Sequence, residues 1–193
     1  MAVPARKKLS YQEYLDLERR TDVRHEFLNG EAWAMAGGTL RHSAIKANLT
    51  TAVGVALRGT PCRAYDSDAK LLVEPTGLAT YPDLAIVCGP VRRAQLDRHA
   101  ATNPTALFEV LTDSTEAWDR GEKFRHYRDL DRLQQYVLVG TKRQLVEVFR
   151  RGADDTWVLR EYGPGESVDL DGTGTTISVD DLYLDLPEDP PDE

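Results

Sequence analysis

The sequence holds only two cysteines, Cys62 and Cys88, and they stand in no Cys-x-x-Cys spacing. That excludes a disulfide-stapled scaffold and a cysteine-ligated zinc site, and the pair is expected to be small core residues. No apolar run approaches the ~20 residues that a membrane span needs. The start is basic through Arg6, Lys7 and Lys8, but no apolar block follows, so no secretory signal is expected and the compartment reads as cytoplasmic. No repeat period is present.

What is there is enough for one compact domain. The chain has 193 residues, 41% of them hydrophobic, which supports a real core and argues against global disorder. Its formal charge of −8 is unevenly spread. Residues 166–193 carry ten acids and no Lys or Arg, and without them residues 1–165 stand at +2. A near-neutral body lacks the broad basic face of a tight duplex binder, although a locally basic groove remains compatible with nucleic acid. Residues 1–186 are expected to form a single domain, and residues 187–193 a frayed acidic tail with nothing to bury.

Local signals divide the chain further. Ser10 and Glu13 have capping-box spacing, which predicts a helix over 10–19. Asn29-Gly30 between apolar flanks predicts a hairpin within 24–35. Ile45, Leu49, Val53 and Leu57 recur near the helical period, with Gly59 as a stop. Strands are expected over 62–65, 70–73, 84–88 and 105–111, a loop or short helix over 90–103, and a helix over 115–130. Strands at 136–139, 145–149 and 157–161 complete a meander. The class is α/β (α+β) with a mixed sheet.

Two apolar strands each carry one carboxylate: Asp83 in Tyr81-Pro82-Asp83-Leu84-Ala85-Ile86-Val87 and Glu109 in Leu107-Phe108-Glu109-Val110-Leu111. An ionised carboxylate buried without a partner costs several kcal/mol, so each needs a reason to be there. On neighbouring strands the two can converge on one hard cation, Mg²⁺ or Mn²⁺. The plainer alternative is two strand-end acids paired with arginine or capping turns, and residue types alone favour it. Lys123 and Tyr127, four residues apart, share a helix face. Over the carboxylates, the lysine can orient a water or stabilise charge; otherwise the pair is an ordinary amphipathic one.

Other features carry less. Gly37-Gly38 lacks the Lys-Ser/Thr of a phosphate loop and reads as a turn. Arg120, Lys123, Arg125, Arg128 and Arg132 read mostly as a solvated helix face. Arg92-Arg93 with Arg98 offers a backbone-contacting patch. Trp33, Trp118 and Trp157 read as core or interface fillers.

The motifs taken in order resemble the Uma2 family of restriction-endonuclease-like proteins, within the PD-(D/E)xK nuclease superfamily. The resemblance runs from Leu9 to Tyr183. It is carried by Leu9-Ser10-Tyr11-Gln12-Glu13-Tyr14-Leu15, Arg24-His25-Glu26-Phe27-Leu28-Asn29-Gly30-Glu31, Met35-Ala36-Gly37-Gly38, His42-Ser43 and Ser67-Asp68. Tyr81-Pro82-Asp83, Glu109-Val110-Leu111, Asp119-Arg120-Gly121-Glu122-Lys123-Phe124 and Tyr127 form its centre. The resemblance implies a mixed sheet flanked by helices, with an N-terminal helix and hairpin and a C-terminal strand meander. It implies Asp83 and Glu109 as ligands of Mg²⁺ or Mn²⁺. The superfamily places its lysine two residues after the glutamate, where this chain has Leu111, so Lys123 is the candidate for a relocated lysine.

Glu26 matches an early family glutamate and is expected to assist the metal, and Tyr127 to support Lys123. Asp68 is expected as a further ligand or turn cap, and His42 as a phosphate contact or cap. Asp113 and Gln135 depart from the family's usual proline and acid without removing a proposed ligand. The implied activity is metal-dependent endonuclease cleavage of nucleic acid, with DNA as the expected partner and a homodimer as the default if both strands are cut. The alternative is a catalytically silent nucleic-acid- or protein-binding module on the same fold.

Overall fold

The computed structural model describes residues 8–35 and 37–188. Helix α1 (Tyr11–Arg20) opens with the expected capping box: Ser10 Oγ accepts from the Glu13 amide, and Glu13 accepts from the Ser10 amide. It buries Tyr14 and Leu15. The hairpin follows as β1 (His25–Leu28) and β2 (Glu31–Ala34), turning through Asn29 and Gly30 at φ 52° and 87°. Positive φ at both central residues is what Asn-Gly supplies at least cost. Helix α2 (Leu40–Ala56), capped by Thr39, buries Ile45, Leu49 and Val53 as its periodicity requires. Each such side chain contributes about 1.5–3 kcal/mol by leaving water.

The remaining elements are β3 (Cys62–Asp66), β4 (Lys70–Val73), β5 (Leu78–Thr80), β6 (Leu84–Cys88), β7 (Ala100–Ala101), β8 (Ala106–Val110), α3 (Glu116–Trp118), a π-helical turn (Asp119–Lys123), α4 (Phe124–Tyr127), β9 (Gln135–Val139), β10 (Val146–Arg151), β11 (Trp157–Tyr162), β12 (Ser167–Leu170), β13 (Thr175–Ser178) and α5 (Val179–Leu182). A six-stranded sheet runs β11-β10-β9-β8-β6-β3, antiparallel except for the parallel pair β8–β9. A five-stranded sheet runs β2-β1-β5-β4-β7. One face of the large sheet packs on α2, α5 and the β12–β13 hairpin through Ile45, Leu49, Phe108, Val137 and Ile177. Its other face packs on the small sheet and α4 through Leu71, Leu107, Tyr127 and Leu138. This is the mixed, helix-flanked α/β arrangement expected.

Two expectations change. The cysteines are bonded to each other: Cys62 and Cys88 are register partners on β3 and β6, with Cα atoms 3.9 Å apart. Antiparallel pairing, not sequence proximity, brings them together. Within the expected domain, the acidic stretch after 166 forms a hairpin whose alternate residues Val168, Leu170 and Ile177 are buried while Asp169 faces out. The helix expected over 115–130 ends at Tyr127 and contains the π-turn. Of the tail, Pro187 gives its carbonyl to Arg41, and residues 189–193 lie outside the described residues. Among the described residues, no helix is long and apolar enough to cross a membrane.

Candidate functional site

Strand pairing determines where the two carboxylates meet. In the β6–β8 ladder Leu84 pairs with Phe108, so the next position on each strand sets Asp83 beside Glu109 where the strands part. The Val110 amide donates to Asp83 Oδ2 at 2.8 Å, tying the Asp83 carboxylate to the strand that carries Glu109. Both acids open into a cleft of about 440 Å³ between the two sheets, also lined by Glu26, His42, Lys46, Trp118, Asp119 and Lys123.

Alternation along β8 sends Leu107 and Glu109 to the face shared with Tyr127, away from Phe108 and Val110. There Tyr127, fully buried, donates its hydroxyl to Glu109 Oε1 at 2.8 Å. The Lys123 ammonium reaches the same oxygen at 2.8 Å, Asp119 Oδ1 at 3.2 Å and Glu26 Oε1 at 3.3 Å. Glu26 comes from β1, opposite the helix, and is fixed by Thr80 Oγ1 and by Trp33 Nε1, the latter at 3.2 Å. Asp119 and Lys123, four apart, both face the sheet, and the segment between them is a π-turn, a local departure that often accompanies functional sites.

The electrostatics divide the cleft in two. Burial drives the Glu109 carboxyl well above its usual range; the Lys123 ammonium opposes this, while Asp119 and Asp83 add to it. Burial works against the Lys123 charge, but Glu109 and the other groups around it outweigh that and keep it an ammonium. Burial likewise raises Asp119 against the pull of Lys123. Asp83 goes the other way: burial is outweighed by His42, the Lys46 ammonium and the Val110 amide, so its carboxyl is held below the usual range. Lys46 Nζ lies 3.1 Å from Asp83 Oδ1, and His42 Nε2 lies 3.6 Å from Oδ2.

Of the residues singled out in the sequence, Asp83, Glu109, Lys123, Glu26 and His42 line this cleft and Tyr127 backs it. Asp68 does not join them. It stands in the turn after β3 with 73% of its side chain exposed, paired with Arg24 at 2.8 Å. Tyr127 gives its hydroxyl to Glu109, and its ring lies 5.9 Å from the Lys123 ammonium. Lys123 is no part of a solvated face, and its neighbour Arg120 is engaged by Glu116 and Glu147. Arg92 and Arg93 lie beyond the far end of β6 from Asp83, with Arg92 paired to Asp131 and Arg93 to the Arg98 carbonyl. Two charged cleft residues were given no role of their own: Asp119 and Lys46. Each is four positions from a residue that was named, Lys123 and His42 respectively, and that spacing was the available signal.

Asp83 and Glu109 supply carboxylate oxygens to an open cleft, a donor set suited to Mg²⁺ or Mn²⁺, which complete their shells with water and phosphate oxygens. The cleft is lined by four acids and two lysines. Among the described residues, no group of three or more His, Cys, Asp or Glu gathers closely enough to form an all-protein metal cage.

The comparisons agree with this architecture. A crystallised protein from Anabaena variabilis, described as "a putative nuclease belonging to DUF820", superposes with a TM-score of 0.70 at 16% identity, covering 88% of this chain and 97% of that one. At that identity the likeness establishes the fold. Two proteins of Synechocystis are similar in sequence. "Uncharacterized protein slr1290" is 35% identical over 93% of both chains, and "Uncharacterized protein sll1609" is 28% identical over 89% of this chain and 96% of its own. The family profile of Uma2, described as "Putative restriction endonuclease", matches residues 11–180. With that match across most of its length, the chain belongs to the Uma2 family.

Proposed function

We propose that this protein is a divalent-cation-dependent endonuclease that hydrolyses phosphodiester bonds of nucleic acid, with DNA as its substrate. The observation that carries the reading is the convergence of Asp83 and Glu109 on one cleft, with the Lys123 ammonium 2.8 Å from Glu109. Asp83 and Glu109 would hold Mg²⁺ or Mn²⁺. Such a cation supplies charge neutralisation at the phosphate and acidification of water. Lys123 stabilises charge that develops on the Glu109 side of the cleft, and Tyr127 fixes the Glu109 carboxyl through its hydroxyl. Glu26 and Asp119 keep the lysine charged and in place. A homodimer is the matching assembly for cutting both strands of a duplex.

A second reading is a module that keeps the fold without catalysis. One observation favours it: each proposed ligand already carries a lysine, Lys46 on Asp83 and Lys123 on Glu109. Mg²⁺ or Mn²⁺ titration by calorimetry on wild type and Asp83→Ala, followed by plasmid nicking, separates the two. Binding and nicking that both vanish in Asp83→Ala support the nuclease. A wild type that binds no cation, even with DNA present, supports the silent module.

A further inference from the structure

The two lysines of the cleft are held in very different ways. Lys123 has three N–H donors and three carboxylate partners, and only 5% of its side chain is exposed. It is fully committed. Lys46 touches one carboxylate, Asp83, and the Ser67 hydroxyl at 3.0 Å, and 27% of its side chain is open to the cleft. One of its donors is therefore unspoken for among these contacts, on a flexible four-carbon stem. His42 lies one turn earlier on the same face of α2. Its Nε2 is 3.6 Å from Asp83, beyond a hydrogen bond, and its ring lies against Gly38. A Cβ at Gly38 would stand 2.2 Å from His42 Nδ1, so the glycine is what gives the imidazole its place.

We infer that Lys46, with His42 beside it, forms the phosphate-holding wall of this cleft. It would grip a non-bridging oxygen of a phosphodiester lying between α2 and the carboxylates of β6 and β8. The substrate class rests on the endonuclease reading above, but the binding claim does not require cleavage. Asp83 holds the Lys46 ammonium in the free protein, and whatever neutralises Asp83 frees that ammonium for the phosphate. Lys123 then positions while Lys46 binds.

The test needs no metal and no turnover. A fluorescein-labelled single-stranded DNA 20-mer is titrated in EDTA by anisotropy at several salt concentrations. Lys46→Gln is expected to weaken binding about tenfold, as loss of one charge-assisted phosphate contact does, and to flatten the salt slope by about 0.7. Lys46→Arg is expected to keep the slope. Asp83→Asn is expected to bind more tightly than wild type, and the gain to disappear in Asp83→Asn/Lys46→Gln. That pair of variants also leaves no stranded charge if Lys46→Gln alone folds poorly.

Equal affinity and slope with and without Lys46, in both backgrounds, would overturn the assignment, as would a wild type that does not bind the strand. Failure of the endonuclease reading shows separately, as a protein that binds the 20-mer through Lys46 yet nicks no plasmid in Mg²⁺.

Discussion

Lys123 and Glu109 meet at 2.8 Å across a strand-to-helix connection, and Tyr127 donates to the same glutamate oxygen from the next turn of the helix. The glutamate comes from the sheet and both partners from the helix, so one side of the cleft is built by docking α3, the π-turn and α4 onto β8. The lysine beside this glutamate therefore comes from a different element, not from the strand that carries the glutamate.

Removing the Lys123 charge strands three carboxylates. Lys123→Met is expected to destabilise the fold by about 3–5 kcal/mol, as breaking a buried pair does. The double variant Lys123→Met/Glu109→Gln should recover part of that loss. Urea denaturation of the four members of the cycle measures the coupling. A coupling near zero would mean that the two groups do not interact in solution.

Restoring a lysine at the superfamily's position should not help. Leu111 is 4% exposed among Leu107, Tyr127 and Leu133, so Leu111→Lys puts an ammonium into an apolar cluster. Lys123→Met/Leu111→Lys is expected to be less stable than Lys123→Met alone, read by the urea midpoint. A gain in stability would show that position 111 reaches Glu109 after all.

The loop before β7 is tied down by a buried pair. Asp97 accepts from Lys70 at 3.0 Å, from the His99 amide at 2.9 Å and from Tyr11 at 3.3 Å. Burial raises its carboxyl, but the His99 amide and Lys70 outweigh burial and leave it below its usual value. An acid lowered on folding stabilises above its unfolded pKa, and that stability is lost as pH falls through its folded value. Asp97→Ala is expected to cost about 3 kcal/mol at pH 7 and progressively less below pH 4. Denaturation at pH 7 and pH 3.5 gives the comparison; an equal loss at both would place the cost in packing alone.

The Cys62–Cys88 bond closes a chain separation of 26 residues. Loop entropy of that size corresponds to about 3 kcal/mol, or about 10 °C in Tm for a domain of this length. Thiol titration of the purified protein under native conditions, with melts with and without reductant, reads both terms. Two free thiols and a reductant-independent Tm would show that the bond does not form, as a reducing compartment would favour.

The elements legible in the sequence were those with local chemistry: the Ser10–Glu13 box, the Asn29-Gly30 turn, and the periodicity of Ile45, Leu49 and Val53. Asp83, Glu109 and Lys123 were legible because charge inside apolar or helical context stands out, and the ordered family motifs joined them. What escaped depends on partners far along the chain. β5 has three residues, all buried, and β7 has two, so neither shows a period. The β12–β13 hairpin was hidden by its outward acids. The disulfide follows from β3–β6 register, and Lys46 acquires meaning only when α2 lies beside Asp83.

The π-turn turns the placement of the lysine into a question of angular phase. An α-helix advances about 100° per residue. A π-turn fits one extra residue into a turn, so deleting one residue between 119 and 123 would return it to ordinary α geometry with the flanking segments near their present phase. Asp119 and the lysine, then three positions apart, would still share a face, whereas an added residue that the turn does not absorb would swing the lysine about 100° away from Glu109. The surplus residue thus works as slack in the helix, and the cleft would tolerate the loss of one residue here better than the gain of one.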